Sequence, residues 1–289
     1  NDMFLEVEDF FNKNIPSIDK NSFKILDIGC SVGYFLNLFK EHGYKSLKGI
    51  EPAPDCGLIA KELYGIEVFS GILSEFTEND EFDFVIMSGV LEHISELNKI
   101  ISEGVSLLKE DGIFMIVVPD AGNFTSTPNV PFDEFSLEHI NYFTHRSLSN
   151  LMKRHGFKNI FSKSIDADFY DTKALVSLFA RSSAEKENFE MDSEGIACIK
   201  NYISASNEKI ETLNKMFGDL IESGEELAVW GVGSLTFRLL ASSNLPKANI
   251  RCFIDSNKAL QGKKINGIEV LPPDFFVERT DGLMVFISS

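Results

Sequence analysis

The sequence lacks three features, and each absence excludes a class of protein. Its four cysteines (Cys30, Cys56, Cys198 and Cys252) form no C-x-x-C pair, so we expect neither a disulfide framework nor a zinc site. A reducing cytoplasm is then the default location. No long apolar run is present, so no membrane span is expected. Basic residues are few: 27 Lys and Arg stand against 44 Asp and Glu, for a net charge of −17. An acidic chain is a poor partner for a nucleic-acid backbone.

The chain is organised around the stretch SFKILDIGCSVGYFLNLF at residues 22–39. Its pattern predicts a buried strand over 24–28, a tight turn from Gly29 to Gly33, and then an amphipathic helix. The two glycines let the backbone turn sharply and approach a ligand, and the helix directs its unpaired N–H groups at the same place. A turn of this kind after a first strand is where an open α/β sheet binds nucleotides.

The residues of this turn do not fit a dinucleotide site. The fingerprint G-x-G-x-x-G fails because Ser31 and Tyr34 stand at its later positions. The pattern present is D-x-G-x-S-x-G, beginning at Asp27, and the next strand ends in Glu51, where a carboxylate could accept both ribose hydroxyls. Asp27 would repel a pyrophosphate but suits a cationic amino-acid ligand. The alternative is an ordinary glycine-rich turn with a solvated Glu51.

This pattern resembles the first motif of class I S-adenosylmethionine (SAM) methyltransferases, with Glu51-Pro52 matching the acidic end of that family's second strand. A second motif, FDFVIMSGVLEHI, follows a predicted strand at 82–87 and resembles the VLEHI stretch that borders the methionine part of SAM in the family. Residues 88–93 should then lie beside the Gly29 turn. The resemblance implies SAM as cofactor, bound by Asp27, Gly29, Cys30, Ser31, Gly33, Glu51, Pro52, Gly71, Ile72, Ser88 and Val90, with His93 lining the pocket on the substrate side.

Strands and helices alternate along the first half of the chain. This predicts a doubly wound, Rossmann-like α/β sheet. The predicted elements are a helix within residues 1–22 that ends near Pro16, helix 55–63, strand 67–69, helix 97–108 closed by Asp111-Gly112, strand 113–118, and a final antiparallel pair at 157–165 and 172–180.

A third motif, EHINYFTHRSLSNLMKRHGF, begins at Glu138 and resembles a segment of methyltransferases that modify sugars and small metabolites. In the sugar C-methyltransferases the Glu-His pair belongs to the catalytic site, which here assigns catalysis to Glu138 and His139. Methyl transfer needs a nucleophile stripped of its proton, and histidine titrates near neutrality. Tyr142 is expected to line the substrate pocket. Ser136 replaces a tyrosine of that family, which leaves O- or N-methylation open beside C-methylation.

The second half of the chain begins after a polar linker at 181–190. Apolar residues at heptad-like spacing predict a long helix over 192–222. This helix either packs on its own domain or forms the seam of a homodimer. We therefore predict a SAM-binding domain at 1–183 and a second domain at 191–289.

The second domain is predicted to be a smaller Rossmann-like unit. A strand at 227–230 leads into a turn with Gly231 and Gly233, and the next strand ends in Asp255. Thr236 occupies the third glycine position of the dinucleotide fingerprint, so that motif is incomplete. The half resembles the C-terminal domain of sugar C-methyltransferases, which helps hold a nucleotide-linked sugar. The resemblance therefore assigns Gly231, Gly233 and Asp255 to substrate binding. No cysteine pair here could build that family's N-terminal zinc module.

The sequence thus predicts a SAM-dependent methyltransferase for a small acceptor that is carbohydrate-related, such as a nucleotide sugar. Three alternatives remain at this point. The acceptor could be another metabolite or a lipid headgroup, the chain could be a nucleotide-binding protein without turnover, or Gly231 and Asp255 could serve an NAD-dependent dehydrogenase.

Overall fold

The computed structural model of the 289-residue chain describes residues 2–15, 17–77, 81–126, 130–166, 173–182, 189–275 and 283–288. The chain forms two compact units. The first, called the N-terminal unit, comprises residues 1–127 and 134–200. The second, the C-terminal unit, comprises residues 128–133 and 201–289. The predicted linker lies largely at 183–188, outside the described residues, and the predicted domain limits stay predictions.

The N-terminal unit is a seven-stranded sheet with helices on both faces. Its strand order is β3-β2-β1-β4-β5-β7-β6, with β7 antiparallel to both β5 and β6. This confirms the predicted doubly wound fold and the antiparallel final pair. The elements are α1 (Asp2–Asn14), β1 (Lys24–Ile28), α2 (Tyr34–Glu41), β2 (Ser46–Glu51), α3 (Pro54–Tyr64), β3 (Glu67–Ser70), β4 (Phe82–Ser88), α4 (Leu97–Ser106), β5 (Leu108–Pro119), α5 (His145–Arg154), β6 (Phe157–Asp166) and β7 (Lys173–Arg181).

The central strands β1, β4 and β5 are apolar because both of their faces are covered. β4 pairs in parallel with β1 on one side and with β5 on the other. Two apolar clusters form the core, one on each face of the sheet. Helix α1 covers one of these faces, where the ring of its Phe11 packs against Phe84 of β4 at a centroid distance of 5.0 Å. Parallel strands place their carboxyl ends at one edge, and the predicted site residues Asp27, Glu51 and Ser88 all lie there.

The prediction for residues 97–118 was partly wrong. Helix α4 ends at Ser106, and β5 begins at Leu108 rather than at residue 113. Leu108 is buried and pairs with Phe82, and the β4–β5 register shifts just beyond that pair. The segment Asp111-Gly112 therefore lies in an irregularity of the strand and does not cap the helix, since pairing with β4 outweighs the local turn signal.

The C-terminal unit is a smaller α/β unit with a five-stranded sheet in the order β10-β11-β9-β8-β12. This confirms the predicted second Rossmann-like sheet. Residues of the long helix, among them Phe217, pack in the same apolar cluster as Phe253 of β9, as expected for a helix on its own domain. The elements are α6 (Ser193–Ser223), which belongs to this unit from residue 201 onward, β8 (Leu227–Trp230), α7 (Ser234–Ser242), β9 (Ile250–Ile254), β10 (Lys264–Ile265), β11 (Ile268–Leu271) and β12 (Met284–Ile287).

The described residues of the segment 128–133 join the C-terminal unit although they follow β5 of the first sheet. The backbone N–H of Phe132 donates a hydrogen bond to Ser206 Oγ at 3.1 Å. Arg238 donates to the carbonyl of Pro131 and to the carboxylate of Asp133. Among the described residues, no helix combines the length and the apolar character that crossing a membrane requires.

Candidate active site

The turn after β1 depends on glycine for two different physical reasons. Gly29 has a φ of +78°, and a β-carbon there would lie 2.6 Å from Val90 Cγ2. Gly29 therefore permits close contact with the loop after β4, which confirms that the two motifs are neighbours. Gly33 has a φ of +74°, and its β-carbon would lie 3.1 Å from Cβ of Ala60 in α3. Any residue with a side chain at position 33 would strain the turn and press against α3, so a valine there would disturb the local fold as well as the site.

Glu51 is held in place by the backbone of its surroundings. Its Oε2 accepts a hydrogen bond from the N–H of Ser31 at 3.0 Å, and its Oε1 accepts one from the N–H of Ala53 at 2.9 Å. Ser31 itself has a positive φ of 49°, which turns its N–H toward the carboxylate. Pro52 is exposed beside it. Each carboxylate oxygen keeps a lone pair, as acceptance of two ribose hydroxyls requires.

Asp27 occupies a different environment from Glu51. It is 2% exposed, and its Oδ1 has no hydrogen-bond partner among the described residues. Burial, with a smaller contribution from the negative charge of Glu51, raises the pKa of Asp27 to about 7. A buried carboxylate without a partner is costly, and a cationic group at this place would relieve that cost. The orphaned oxygen therefore fits the positively charged amino group of SAM.

The remaining predicted cofactor residues differ in what they offer. Cys30 is buried, its thiol lies where a β-carbon on Gly49 would overlap it, and burial raises the pKa of the thiol. Only its backbone is available to a ligand. Gly71 donates its N–H to the carbonyl of Glu51 at 3.1 Å. The side chain of Ile72 is 52% exposed, an apolar surface of the kind that a planar base could cover. Ser88 is half-buried at the end of β4.

Two loops meet next to this turn and bring His93 of the second motif, with the neighbouring Glu92, against the predicted Glu138-His139 pair. A short 3₁₀ turn, Leu91–His93, follows β4. Asn141 donates through its amide to the carbonyls of Leu91 at 3.0 Å and Ile94 at 2.7 Å, while its backbone N–H bonds to the carbonyl of Glu92 at 3.1 Å. The loop of the third motif is thereby fastened to the loop of the second.

The histidines of these loops are in contact. Nδ1 of His93 lies 3.0 Å from the carbonyl oxygen of Glu138, and the rings of His93 and His139 meet edge to face with centroids 4.9 Å apart. Burial and the neighbouring His93 lower the pKa of His139, outweighing the opposing effect of Glu138. His139 is therefore neutral at pH 7 and has a lone pair that can accept a proton.

Ser136 and Tyr142 surround this pair. Ser136 Oγ accepts the N–H of Glu138 at 3.0 Å and so shapes the loop. The ring of Tyr142 packs edge to face against Phe124 and Phe135. Burial raises the pKa of its hydroxyl, which stays protonated. Sequence reasoning missed Asn141 and the buried Glu92. Glu92 stood within the recognised motif, whereas no local pattern marks Asn141.

The C-terminal unit repeats the design of the first turn. Gly231, at a φ of +98°, donates its N–H to the carbonyl of Ile254 at 2.8 Å, and Val232 donates to Asp255 Oδ2 at 2.8 Å. Asp255 is thus held as Glu51 is held. Gly233 is exposed, and a β-carbon there would meet nothing within 4 Å. Thr236 is buried and bonds to Ser288 Oγ at 2.6 Å.

The mostly parallel sheet with its antiparallel β7, the glycine turn after β1 and the acid that ends β2 define a class I SAM-dependent methyltransferase fold. A sequence profile described as "Methyltransferase domain" matches residues 1–161, and the chain belongs to that family. The methyl donor of this class is SAM.

Two curated relatives are methyltransferases. The C-methyltransferase NovU of Streptomyces niveus is 24% identical over 260 residues, which cover 85% of this chain and 61% of NovU. A ubiquinone biosynthesis O-methyltransferase of Rhodopseudomonas palustris is 26% identical over 113 residues, 37% of this chain and 44% of the relative. The chain thus spans less than two thirds of the length of each.

A solved structure of 1,6-didemethyltoxoflavin-N1-methyltransferase from Burkholderia thailandensis, with bound S-adenosylhomocysteine, has 16% identity and a TM-score of 0.47. The similar region covers 63% of this chain and 79% of that one. Magnesium protoporphyrin IX methyltransferase from Synechocystis, with bound SAM, has 15% identity and a TM-score of 0.46, covering 62% of this chain and 79% of that one. At TM-scores below 0.5 these likenesses add no weight to the family assignment.

Proposed function

We propose that the protein transfers a methyl group from SAM to a small carbohydrate-related acceptor, with His139 as the general base. The observation that carries this proposal is the contact between His93 and His139, whose rings lie 4.9 Å apart on loops fastened beside the Gly29 turn. The acceptor class is supported by the resemblance of the third motif to sugar-modifying methyltransferases. The match to the C-methyltransferase relative, which covers 85% of the chain, is consistent with it.

The cofactor residues would divide the recognition of SAM between them. Glu51 would accept the ribose hydroxyls, Asp27 would receive the positively charged amino group, and the exposed side chain of Ile72 would cover the adenine. When bound, SAM supplies an electrophilic methyl group on a sulfonium. The protein has to align the acceptor and take up its proton.

The proton is assigned to His139 because of its neighbours. A backbone carbonyl only accepts hydrogen bonds, so His93 donates Nδ1–H to the carbonyl of Glu138. This bond holds in place the peptide that precedes His139. With its pKa lowered by burial and by His93, the His139 ring is unprotonated at neutral pH and ready to accept a proton. Glu138 is exposed, and its negative charge stabilises the imidazolium that forms.

The test is the release of S-adenosylhomocysteine in the presence of a panel of nucleotide sugars. His139→Ala should lower turnover by roughly two to four powers of ten, the usual share of general base catalysis, while SAM affinity stays within twofold. His155→Ala is the matched control. His155 is also a partly buried histidine, but it lies at the end of α5, where it hydrogen-bonds to Asn98 and Ser102. Near-normal turnover of His139→Ala would show that His139 is not the general base. Turnover with lipid headgroups but with no sugar would reject the acceptor class.

We further propose that the turn at Gly231 and Gly233 binds the nucleotide part of the acceptor, with Asp255 taking a ribose hydroxyl. The support is the repeated design in which Asp255, like Glu51, accepts backbone N–H groups of the preceding turn and of the residues that follow it. Arg238 of α7 donates to Asp133 and to the carbonyl of Pro131, so we do not assign it to the phosphate.

Asp255→Asn should raise KM for a nucleotide sugar at least tenfold and leave SAM affinity unchanged. Asp219→Asn, at an exposed position of α6, is the control. An unchanged KM in Asp255→Asn would remove the nucleotide site from this unit.

A further inference from the structure

Three potential metal ligands meet where the two loops are fastened together. Glu92, His93 and His139 each offer one ligand atom, a carboxylate oxygen or an imidazole nitrogen, and these atoms all lie within 4.8 Å of one another. Two imidazoles and one carboxylate form a donor set that suits Zn²⁺ and other divalent transition-metal ions. Proximity alone does not make a site, so the state of each ligand has to be considered.

Glu92 is the strongest sign that this cluster takes a cation. Its side chain is 4% exposed, and Oε2 has no hydrogen-bond partner among the residues that the structure describes. Leaving a carboxylate buried and unpaired is costly. A cation bound between this oxygen and the two imidazoles would relieve the cost.

His93 is oriented in the way that metal-binding histidines usually are. Its Nδ1 donates to the carbonyl of Glu138 at 3.0 Å, which fixes the tautomer with a lone pair on Nε2. The side chain is exposed, so an ion can reach it from solvent. The edge-to-face contact with His139 holds the second imidazole close by.

We infer that Glu92, His93 and His139 bind one divalent transition-metal ion of the Zn²⁺ or Co²⁺ type. Three protein ligands leave at least one coordination position of a tetrahedral ion to water. Mg²⁺ is excluded by the donor set, because it prefers oxygen ligands and gives up its water reluctantly. This site goes beyond the proposed methyl transfer and does not depend on it.

Metal binding and proton acceptance at His139 exclude each other. An ion bound to the ring nitrogen occupies the lone pair that a general base needs. A bound ion therefore blocks methyl transfer, and its removal restores activity. This consequence rests on the proposed function, whereas binding of the ion does not.

The binding experiment uses the full chain without an acceptor. After treatment with a chelator, the protein is titrated with Co²⁺ and followed by visible absorption, and with Zn²⁺ by calorimetry. We expect one saturable ion per chain for both metals, and no saturable binding of Mg²⁺. Cys56 and Cys198 are partly exposed. A Cys56→Ser, Cys198→Ser protein must bind the ion equally well.

Two variants test the ligands. His93→Asn removes Nε2 but keeps an amide N–H that can bond to the carbonyl of Glu138, and Glu92→Gln keeps the shape of the side chain without its charge. Each should weaken the binding of Zn²⁺ at least tenfold, while His155→Asn should leave the Zn²⁺ affinity unchanged. Because His93 is exposed, His93→Asn still tests the site if Glu92→Gln fails to fold. Far-ultraviolet circular dichroism checks that each variant is folded.

Three results would overturn the inference. They are the absence of saturable Co²⁺ or Zn²⁺ binding, equal metal affinity in wild type and His93→Asn, and binding that disappears with the two cysteines. The kinetic consequence is tested separately with Zn²⁺ and a chelator. A rate that rises with Zn²⁺ would contradict the exclusion at His139 while leaving the site itself in place. Metal binding without methyl transfer to any acceptor would reject the proposed function and keep the metal site.

Discussion

Asp27 and Glu51 lie at the carboxyl ends of the neighbouring strands β1 and β2, yet their carboxylates differ in burial and in hydrogen bonding. Glu51 accepts two backbone N–H groups and is ready to accept more donors. Asp27 is buried, with an oxygen that no described residue satisfies. A ligand that carries both hydroxyls and a positive charge matches the pair. Each carboxylate can be tested by itself.

Glu51→Ala should weaken the binding of SAM at least tenfold. The variant loses charge-assisted hydrogen bonds to the ribose, each contributing about 1.5–3 kcal/mol. Isothermal titration calorimetry measures the affinity directly. Glu67→Ala, an exposed acid at the opposite edge of the sheet, serves as the control. Equal affinities in wild type and Glu51→Ala would place the ribose elsewhere.

SAM affinity should fall as the pH drops through about 7, the pKa of Asp27 in the unliganded protein. A cationic ligand binds the ionised carboxylate, and protons compete with it below that pH. Calorimetric titrations between pH 5.5 and 8.5 would show the trend, with the range chosen to bracket the pKa by roughly 1.5 units. Asp27→Asn should bind weakly and lose this dependence. A flat profile in the wild type would contradict the assignment of Asp27.

The same shift predicts the opposite trend for the stability of the unliganded protein. The pKa of Asp27 is raised from 3.8 to about 7 on folding, so the folded state holds the proton more tightly than the unfolded state does. The contribution of Asp27 to the free energy of unfolding is complete below the unfolded-state pKa of 3.8 and is lost as the pH rises to about 7. Denaturant titrations of wild type and Asp27→Asn without SAM would reveal the difference.

At the scale of elements, the fold was predictable wherever burial leaves a periodic signal. The runs at 24–28 and 82–87 are apolar because both faces of the central strands are covered, and both became strands. The start of β5 was not predictable, because pairing of Leu108 with Phe82 is a contact between distant segments. The same holds for residues 130–133, whose bonds to Ser206 and Arg238 leave no local pattern.

The site was predictable to a similar degree. The second and third motifs could each be recognised separately, since the residues of each are consecutive. Their contact could not, because it depends on the side chain of Asn141, which bonds to two carbonyls of the other loop. The lowered pKa of His139 is likewise a product of burial and of the neighbouring ring, neither of which the sequence displays.

This fastening gives a prediction at the element scale. Asn141→Leu removes both donated hydrogen bonds and should separate the loops, so kcat should fall at least tenfold while SAM affinity is retained. Asn150→Leu is the control, because Asn150 also donates to a backbone carbonyl, that of Glu190, in the same unit. An unchanged kcat in Asn141→Leu would show that the loops hold their positions without this amide.

At the scale of the whole molecule, the two units have separate apolar cores. The clusters on the two faces of the first sheet consist of residues of the N-terminal unit, whereas a third cluster, which includes Phe217 and Phe253, belongs to the C-terminal unit. Proteins built in this way often depart from two-state unfolding. The proposed ligands also divide between the units, SAM with one and the nucleotide with the other.

We therefore expect two unfolding transitions in calorimetry, and SAM should raise the midpoint temperature of only one of them. A ligand at one hundred times its dissociation constant adds about 2.7 kcal/mol to the stability of the unit that binds it. A nucleotide sugar should raise the midpoint temperature of the other transition. Asp255→Asn should abolish this shift without changing the shift that SAM causes. Glu51→Ala should do the reverse. The two variants thus serve as controls for each other. A single transition that shifts with either ligand would show that the two units unfold together. The assignment of one ligand to each unit would then depend on the binding constants of the two variants alone.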